Sequence, residues 1–379
     1  MLYSPSSMRL GYYQVGDKIH LNKVAALIDG TERNIHPEWV FNNDVFDKFS
    51  WSEEPEESLS ELYSQRAKEI RQTYDYVILA FSGGSDSHNI LNAFIKNNLK
   101  IDEIVVSWAV KLSEVRGTDP WDYKDVNQLS EWELTVKPKL QWMRQNHPET
   151  KITVYDWTDG YSNYKIDDDF SLHRGTNLAY FADKRWSIDN ISSIEKRIST
   201  MQNSIIIWGI CKPRVCLQDN TYKLYFLDQV GFATTSELNN ERTEYFYWHP
   251  SSARMIAKQC HLIVRFFEEN PMFKQFIRWP QTPRAREFYE NCIRAIIYPE
   301  VDLNFFQGSK WSNFNFAWDL ALMDLDPAMN DKLNYHFFET MQGLHSVIEN
   351  KYFQTVAEGE KLTGFIAGMY PIAKESITS

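Results

Sequence analysis

An α/β fold built on a doubly wound parallel sheet is predicted, with a small N-terminal β-hairpin element and a mostly helical C-terminal region. Four apolar segments carry the prediction: "YVILAF" (76–81), "DEIVVSWAV" (102–110), "KITVYDW" (151–157) and "SIIIWGI" (204–210). Their hydrophobicity is continuous rather than alternating, as a parallel sheet covered on both faces requires. The intervals between them, roughly 20 to 50 residues, have room for crossover helices. The chain of 379 residues is 43% hydrophobic, enough for a substantial core, and its 15% aromatic content argues against extended disorder. The expected divisions are an N-terminal element over 1–56, the α/β domain over 57–233 and a helical region over 234–379.

Taken in order, "LGYYQVGDKIHLN" alternates around Gly16-Asp17 and predicts a hairpin, and "KVAALIDG" predicts a short helix closed by Gly30. After the acidic stretch "SWSEEPEESLSE", Leu59, Leu62, Tyr63, Ala67 and Ile70 share one side of a helix whose basic residues Arg66, Lys68 and Arg71 fall late. Acid first and base last suits the helix dipole, and the charge run reads as a solvated helix start. The four strands follow. Beyond Thr234, "SSARMIAKQCHLIVRFF" places Met255, Ile256, Gln259, Cys260, Ile263 and Phe267 on one face, and further helices are expected in "NPMFKQFIRWPQTPRAREFYENC" and "PAMNDKLNYHFFETMQGLHSVIENKYF". Cys260 and His261 read as packing residues, since no third group is identifiable to orient them.

Composition narrows the function classes. A net charge of −11 repels a polyphosphate backbone over most of the surface, so nucleic acid is disfavoured as a partner without being excluded. Cys211, Cys216, Cys260 and Cys292 form no C-x-x-C pair and lack zinc-ligand spacing, which fits a reducing cytoplasm. Neither a long apolar leader nor about 18 uninterrupted apolar residues occurs, so a cytoplasmic protein with no membrane partner is expected.

The stretch following the first strand is denser in small and hydroxylated residues than a turn requires. Ser82, Gly83, Gly84, Ser85, Asp86 and Ser87 lead into a helix whose apolar face is Ile90, Leu91, Phe94 and Ile95. The free N–H groups and positive end of that helix favour an anion, and glycines let main chain approach phosphate oxygens. A carboxylate at Asp86 repels phosphate unless it binds Mg²⁺, caps the helix or accepts bonds from the loop. The Walker lysine is absent, so positive charge must come from elsewhere. "IIIWGICKPRV" provides it, with Gly209 at the end of the fourth strand and Lys212 and Arg214 beyond; solvated residues of a surface connection are the plainer alternative.

S-G-G-x-D-S directly after a first strand resembles the PP-loop, or N-type ATP pyrophosphatase, family, and "GICKPRV" and "EYFYWHPSSARMIAKQCHLIVRF" look like its asparagine synthetase-related phage branch. The resemblance implies a Rossmann-like, adenine nucleotide alpha hydrolase-like sheet, ATP and Mg²⁺ as cofactors, and cleavage of ATP between its α- and β-phosphates. It further implies Asp86 as metal ligand and catalytic residue, Lys212 first and Arg214 second as catalytic phosphate contacts, and adenine against the main chain at Ala80, Phe81, Ser107 and Trp108. These four read equally as core residues. Asp156 and Asp159 are candidates for ribose, metal or second substrate, and equally for capping a turn. Tyr247, Trp248 and His249 of "FYWHP" line either the pocket or an aromatic seam, and Lys310 is a weaker candidate.

Departures from the pattern restrict the reaction. The start Met1-Leu2-Tyr3 lacks the cysteine nucleophile of glutamine-dependent asparagine synthetases, and Cys211 and Cys216 do not match the cysteine pairs of the sulfur-transferring branch. The expected reaction is adenylation of a small carboxylate or amide, with pyrophosphate release and attack by an amine or ammonia. Modification of a nucleic-acid or tRNA base by the same step, and a non-catalytic ATP- or AMP-binding module, are the alternatives.

Overall fold

The computed structural model describes residues 8–21, 23–108, 132–156, 200–201, 203–228, 242–279, 283–299 and 365–376. The chain opens with strands β1 (Tyr12–Val15) and β2 (Lys18–His20), joined by the expected two-residue turn, where Gly16 takes φ +61° and Val15 pairs with Lys18. Helix α1 (Lys23–Arg33) runs past Gly30, contrary to expectation. It ends at Asn34, whose φ is +55°, with the Ile35 N–H donating to Gly30 O (2.8 Å) and the Asn34 N–H to Thr31 O (3.3 Å). Gly30 serves a different need: a Cβ there would lie 2.7 Å from Ile35 O.

Strand β3 (Glu38–Val40) adds antiparallel to β1, and a single helical turn, α2 (Asn43–Phe46), follows. Helix α3 (Leu59–Thr73) starts in a capping box: the Glu61 N–H donates to Ser58 Oγ, and the Ser58 N–H donates back to the Glu61 carboxylate. It buries the predicted apolar side and also Arg66, which the sequence places only among the late basic residues that suit the helix dipole. Arg66 pairs with Glu244 and donates to the Tyr245 and Phe246 carbonyls (3.1 and 3.2 Å), and those acceptors are what make its burial tolerable.

The other strands and α-helices among the described residues are β4 (Tyr76–Ala80), α4 (Ser85–Lys96), β5 (Glu103–Trp108), α5 (Lys137–Asn146), β6 (Lys151–Asp156), β7 (Ser204–Trp208), β8 (Arg214–Gln218), β9 (Thr221–Leu227), β10 (Thr243–Tyr245), α6 (Ala253–Glu269), α7 (Pro283–Ile297) and β11 (Ile366–Lys374). All four predicted strands are present and, with β10, form a five-stranded parallel sheet in the order β10-β7-β4-β5-β6. Counted within this sheet, the order is 3-2-1-4-5, consistent with a Rossmann-like fold. The chain leaves β4 to one side for β5 and β6 and returns on its other side as β7. The switch point therefore lies between β4 and β7.

A separate antiparallel sheet, β11-β9-β8, carries a hairpin whose turn residues Asp219 and Asn220 both have positive φ. Neither β10 nor β11 was predicted, so the described part of the C-terminal region contributes one strand to each of two sheets beside its helices. An aromatic cluster joins the sheets: Phe46 stacks on Phe226 (4.9 Å), Trp51 on Tyr370 (5.2 Å), and Trp248 meets Phe226 edge-on (5.1 Å). No helix among the described residues is long and apolar enough to cross a membrane.

Candidate functional site

Two connections meet at the switch point, one following β4 and one following β7. In the first, Gly83 takes φ +79°, a conformation that leaves the chain free to fold back into α4, and Gly84 is the N-cap. A glycine cap has no side chain to close the helix, and no side-chain cap hydrogen bond is made. The first-turn N–H groups of Ser85, Asp86 and Ser87 thus lack helical acceptors, at the positive end of a 12-residue helix. A Cβ built on Gly84 would meet only Ser82 Oγ, at an ordinary 3.5 Å, so the space before the helix end is open. Ser82 is exposed, Ser85 and Ser87 are buried, and the Ser87 hydroxyl donates to Gly84 O (3.1 Å). The loop has the form of a cradle for an anion.

The second connection brings Gly209 directly against that helix end. A Cβ there would stand 3.1 Å from Asp86 Cβ and 3.2 Å from Ser87 N. Three residues on, Lys212 Nζ donates to Asp86 Oδ2 at 2.6 Å, with Lys212 only 8% exposed. Burial pulls the Lys212 pKa down, but the charges of Asp86 and Glu290 overcome it, and the net shift is upward. The ammonium is therefore charged whenever an anion arrives.

Asp86 is held from behind by residues that the sequence reading did not assign to it. Tyr298, at the end of α7, donates its hydroxyl to Asp86 Oδ1, and its ring lies 5.9 Å from Lys212 Nζ. Tyr247 donates to the Asp86 main-chain oxygen (2.9 Å) and accepts from Asn89 Nδ2 (3.0 Å). Tyr63 closes the cluster against Tyr247 (6.0 Å) and Tyr298 (6.4 Å). Of the "FYWHP" residues, Tyr247 hydrogen-bonds the loop. Trp248 belongs to the aromatic core, and His249 faces Glu244 (3.7 Å) and Ser251 (2.8 Å).

The other candidates separate clearly. Ala80 ends β4, and Phe81 is buried edge-on against His88 (4.9 Å). Ser107 and Trp108 pair with Tyr155 and Asp156 along β5 and β6, but the side chains of Ser107, Trp108 and Asp156 lie outside the described residues, as do Asp159 and Lys310. Arg214 starts β8 and faces Glu290 (3.8 Å) rather than Asp86. Burial pushes the Cys211 thiol up to about 11, which disfavours a thiolate at neutral pH. Cys260 and His261 pack as expected, with Cys260 fully buried and His261 Nε2 3.1 Å from Trp51 O.

Among the described residues no group of three or more His, Cys, Asp or Glu side chains is placed to hold a metal. A hard cation at Asp86 would draw its further ligands from phosphate oxygens and water, a common arrangement for Mg²⁺. Compared with known protein families and with curated proteins, the chain matches none.

Proposed function

We propose that this protein is a PP-loop ATP pyrophosphatase with an adenine nucleotide alpha hydrolase-like sheet, which adenylates a small acceptor and passes it to an amine or ammonia. The observation that carries the reading is the meeting of Lys212 with the uncapped N-terminus of α4 at the switch point, where sheets of this order bind ligands. The first-turn N–H groups and the hydroxyls of Ser82 and Ser85 bind phosphate oxygens. Lys212 exchanges Asp86 for phosphate and stabilises charge on the departing pyrophosphate. Asp86 is the residue that would hold Mg²⁺, which when bound would offset repulsion between the phosphates.

With a carboxylate acceptor, an acceptor oxygen bonds to the α-phosphorus as the bridge to the β-phosphate breaks. The electron pair leaves on pyrophosphate, and no proton changes hands. The amine or ammonia then displaces AMP from the acyl group and loses a proton. Neither step needs a side-chain nucleophile, in keeping with the protonated state of Cys211.

The test is ATP labelled at the α-phosphorus, incubated with Mg²⁺ and a panel of carboxylic acids and amides. Labelled AMP with stoichiometric pyrophosphate is expected. ADP with inorganic phosphate as product refutes the reading, and tight ATP binding without cleavage leaves a nucleotide-binding module.

A further inference from the structure

Arg214 is 7% exposed, yet its Nε and Nη1 have no hydrogen-bond partner among the described residues. The carboxylate facing it, Glu290 Oε1, is 3.8 Å from Nη1, outside hydrogen-bonding range. Tyr289, packed beside it, is turned to other partners: its hydroxyl donates to Pro213 O (2.7 Å) and accepts from the Val215 N–H (3.1 Å). Lys212, two residues earlier, is by contrast closed on Asp86. Buried cationic donors left open in this way are costly and are normally filled. Glu290 balances the charge without occupying the donors, and over a third of its side chain is exposed, so it is free to turn outward.

We propose that Arg214 binds the carboxylate of the acceptor, which makes the second substrate a small carboxylic acid; this rests on the adenylation reading above. Either edge of the guanidinium, Nε with Nη2 or Nη1 with Nη2, matches two coplanar oxygens, and each edge includes one of the open donors. An amide offers one acceptor oxygen and turns N–H groups toward the donors. A phosphate brings a second negative charge against Glu290. Placement agrees, because Glu290 acts electrostatically on both Lys212 and Arg214, and Cys211 lies within the field of both ion pairs. The acid is thereby held beside the residue that faces the nucleotide phosphates.

The test follows the arginine Nε–H resonances of the full chain, ¹⁵N-labelled at arginine, during titration with acetate, succinate and benzoate, with acetamide and inorganic phosphate as comparisons. A carboxylate should move a resonance that is missing in Arg214→Gln, at about tenfold lower concentration than acetamide or phosphate. Arg214→Lys, which keeps the charge and removes the fork, should weaken carboxylate binding by at least about tenfold, and Glu290→Gln should strengthen it. A resonance that no carboxylate moves, tighter binding of phosphate, or full carboxylate affinity in Arg214→Lys would overturn the proposal. Mg·ATP binding, measured separately, tells the two failures apart. A chain that binds carboxylate at Arg214 but no ATP keeps this site and loses the adenylation reading, and one that binds ATP but no carboxylate does the reverse.

Discussion

Gly209 and Asp86 are in such close contact that the end of β7 and the start of α4 behave as one surface: a Cβ on Gly209 would lie 3.1 Å from Asp86 Cβ and 3.2 Å from the Asp86 carbonyl carbon. Gly84, three residues from Ser87, has the opposite surroundings, with open space before it and φ −76°, which any residue adopts. The two glycines should therefore respond differently. Gly209→Ala forces main chain apart and is expected to destabilise by about 1–3 kcal/mol. Gly84→Val should change stability by less than about 1 kcal/mol while lowering ATP affinity at least about tenfold by filling the cradle. Chemical denaturation and ATP titration of both variants check this, and normal ATP affinity in Gly84→Val would place the nucleotide elsewhere.

The Lys212–Asp86 pair supports both folding and the proposed chemistry, and a double variant separates them. Asp86→Asn leaves a buried ammonium without its counter-charge, and is expected to cost about 3 kcal/mol of stability. Adding Lys212→Met removes the stranded charge and should return most of that loss. AMP-forming turnover should stay at least about 100-fold down in both, because each lacks a group acting on the phosphates. Recovery of turnover together with stability in the double variant would assign the pair a purely structural role.

Acid should weaken the protein through His249. Burial pushes its pKa down to about 4, Arg66 adds to the shift, and Glu244 and Glu69 oppose it. The unfolded chain, with an ordinary histidine pKa near ~6.5, then takes up the proton first, so stability is full above that value and falls as the pH drops from there toward 4. The expected loss is up to about 3 kcal/mol. His261, also shifted down by burial, acts in the same direction, so the informative quantity is a difference. His249→Asn keeps an acceptor for the Ser251 N–H and should flatten the stability profile between pH 6.5 and 4.5 in urea titrations. Equal slopes in the two proteins would dismiss His249 as the cause.

The parallel sheet was legible because Val77–Leu79, Ile104–Val106 and Ile205–Ile207 are apolar on consecutive positions, a pattern that only burial on both faces explains. β10 is three residues long and has no pattern to find. β11 contains Gly368 and Pro371, which argue against a strand; it is accommodated at a sheet edge, with register shifts beside both residues. At the site, the loop from Ser82 to Ser87 was readable because its residues are contiguous. Lys212 was readable because it follows a strand end. Tyr298 and Glu290 were not, since they arrive from a distant helix and an aromatic or acidic residue on a helix face carries no local mark. The burial of Arg66 had no local mark for the same reason: its partner Glu244 lies 178 residues away.

Tyr298 offers the sharpest test of whether Asp86 is positioned or merely present. Its hydroxyl bonds Asp86 Oδ1 while Lys212 holds Oδ2, so the carboxylate is fixed at both oxygens. Tyr298→Phe deletes one oxygen and leaves the ring packed against Tyr63 and Tyr247. The lost hydrogen bond to a charged acceptor should cost about 1.5–3 kcal/mol. A purely structural role predicts fewer folded molecules with unchanged turnover per folded molecule. A positioning role predicts a fall in kcat of about tenfold or more even where the variant is fully folded, with KM for ATP little changed because the cradle amides are untouched. Measuring kcat and KM well below the unfolding midpoint decides between the two, and an unaltered kcat there would leave Tyr298 as packing alone.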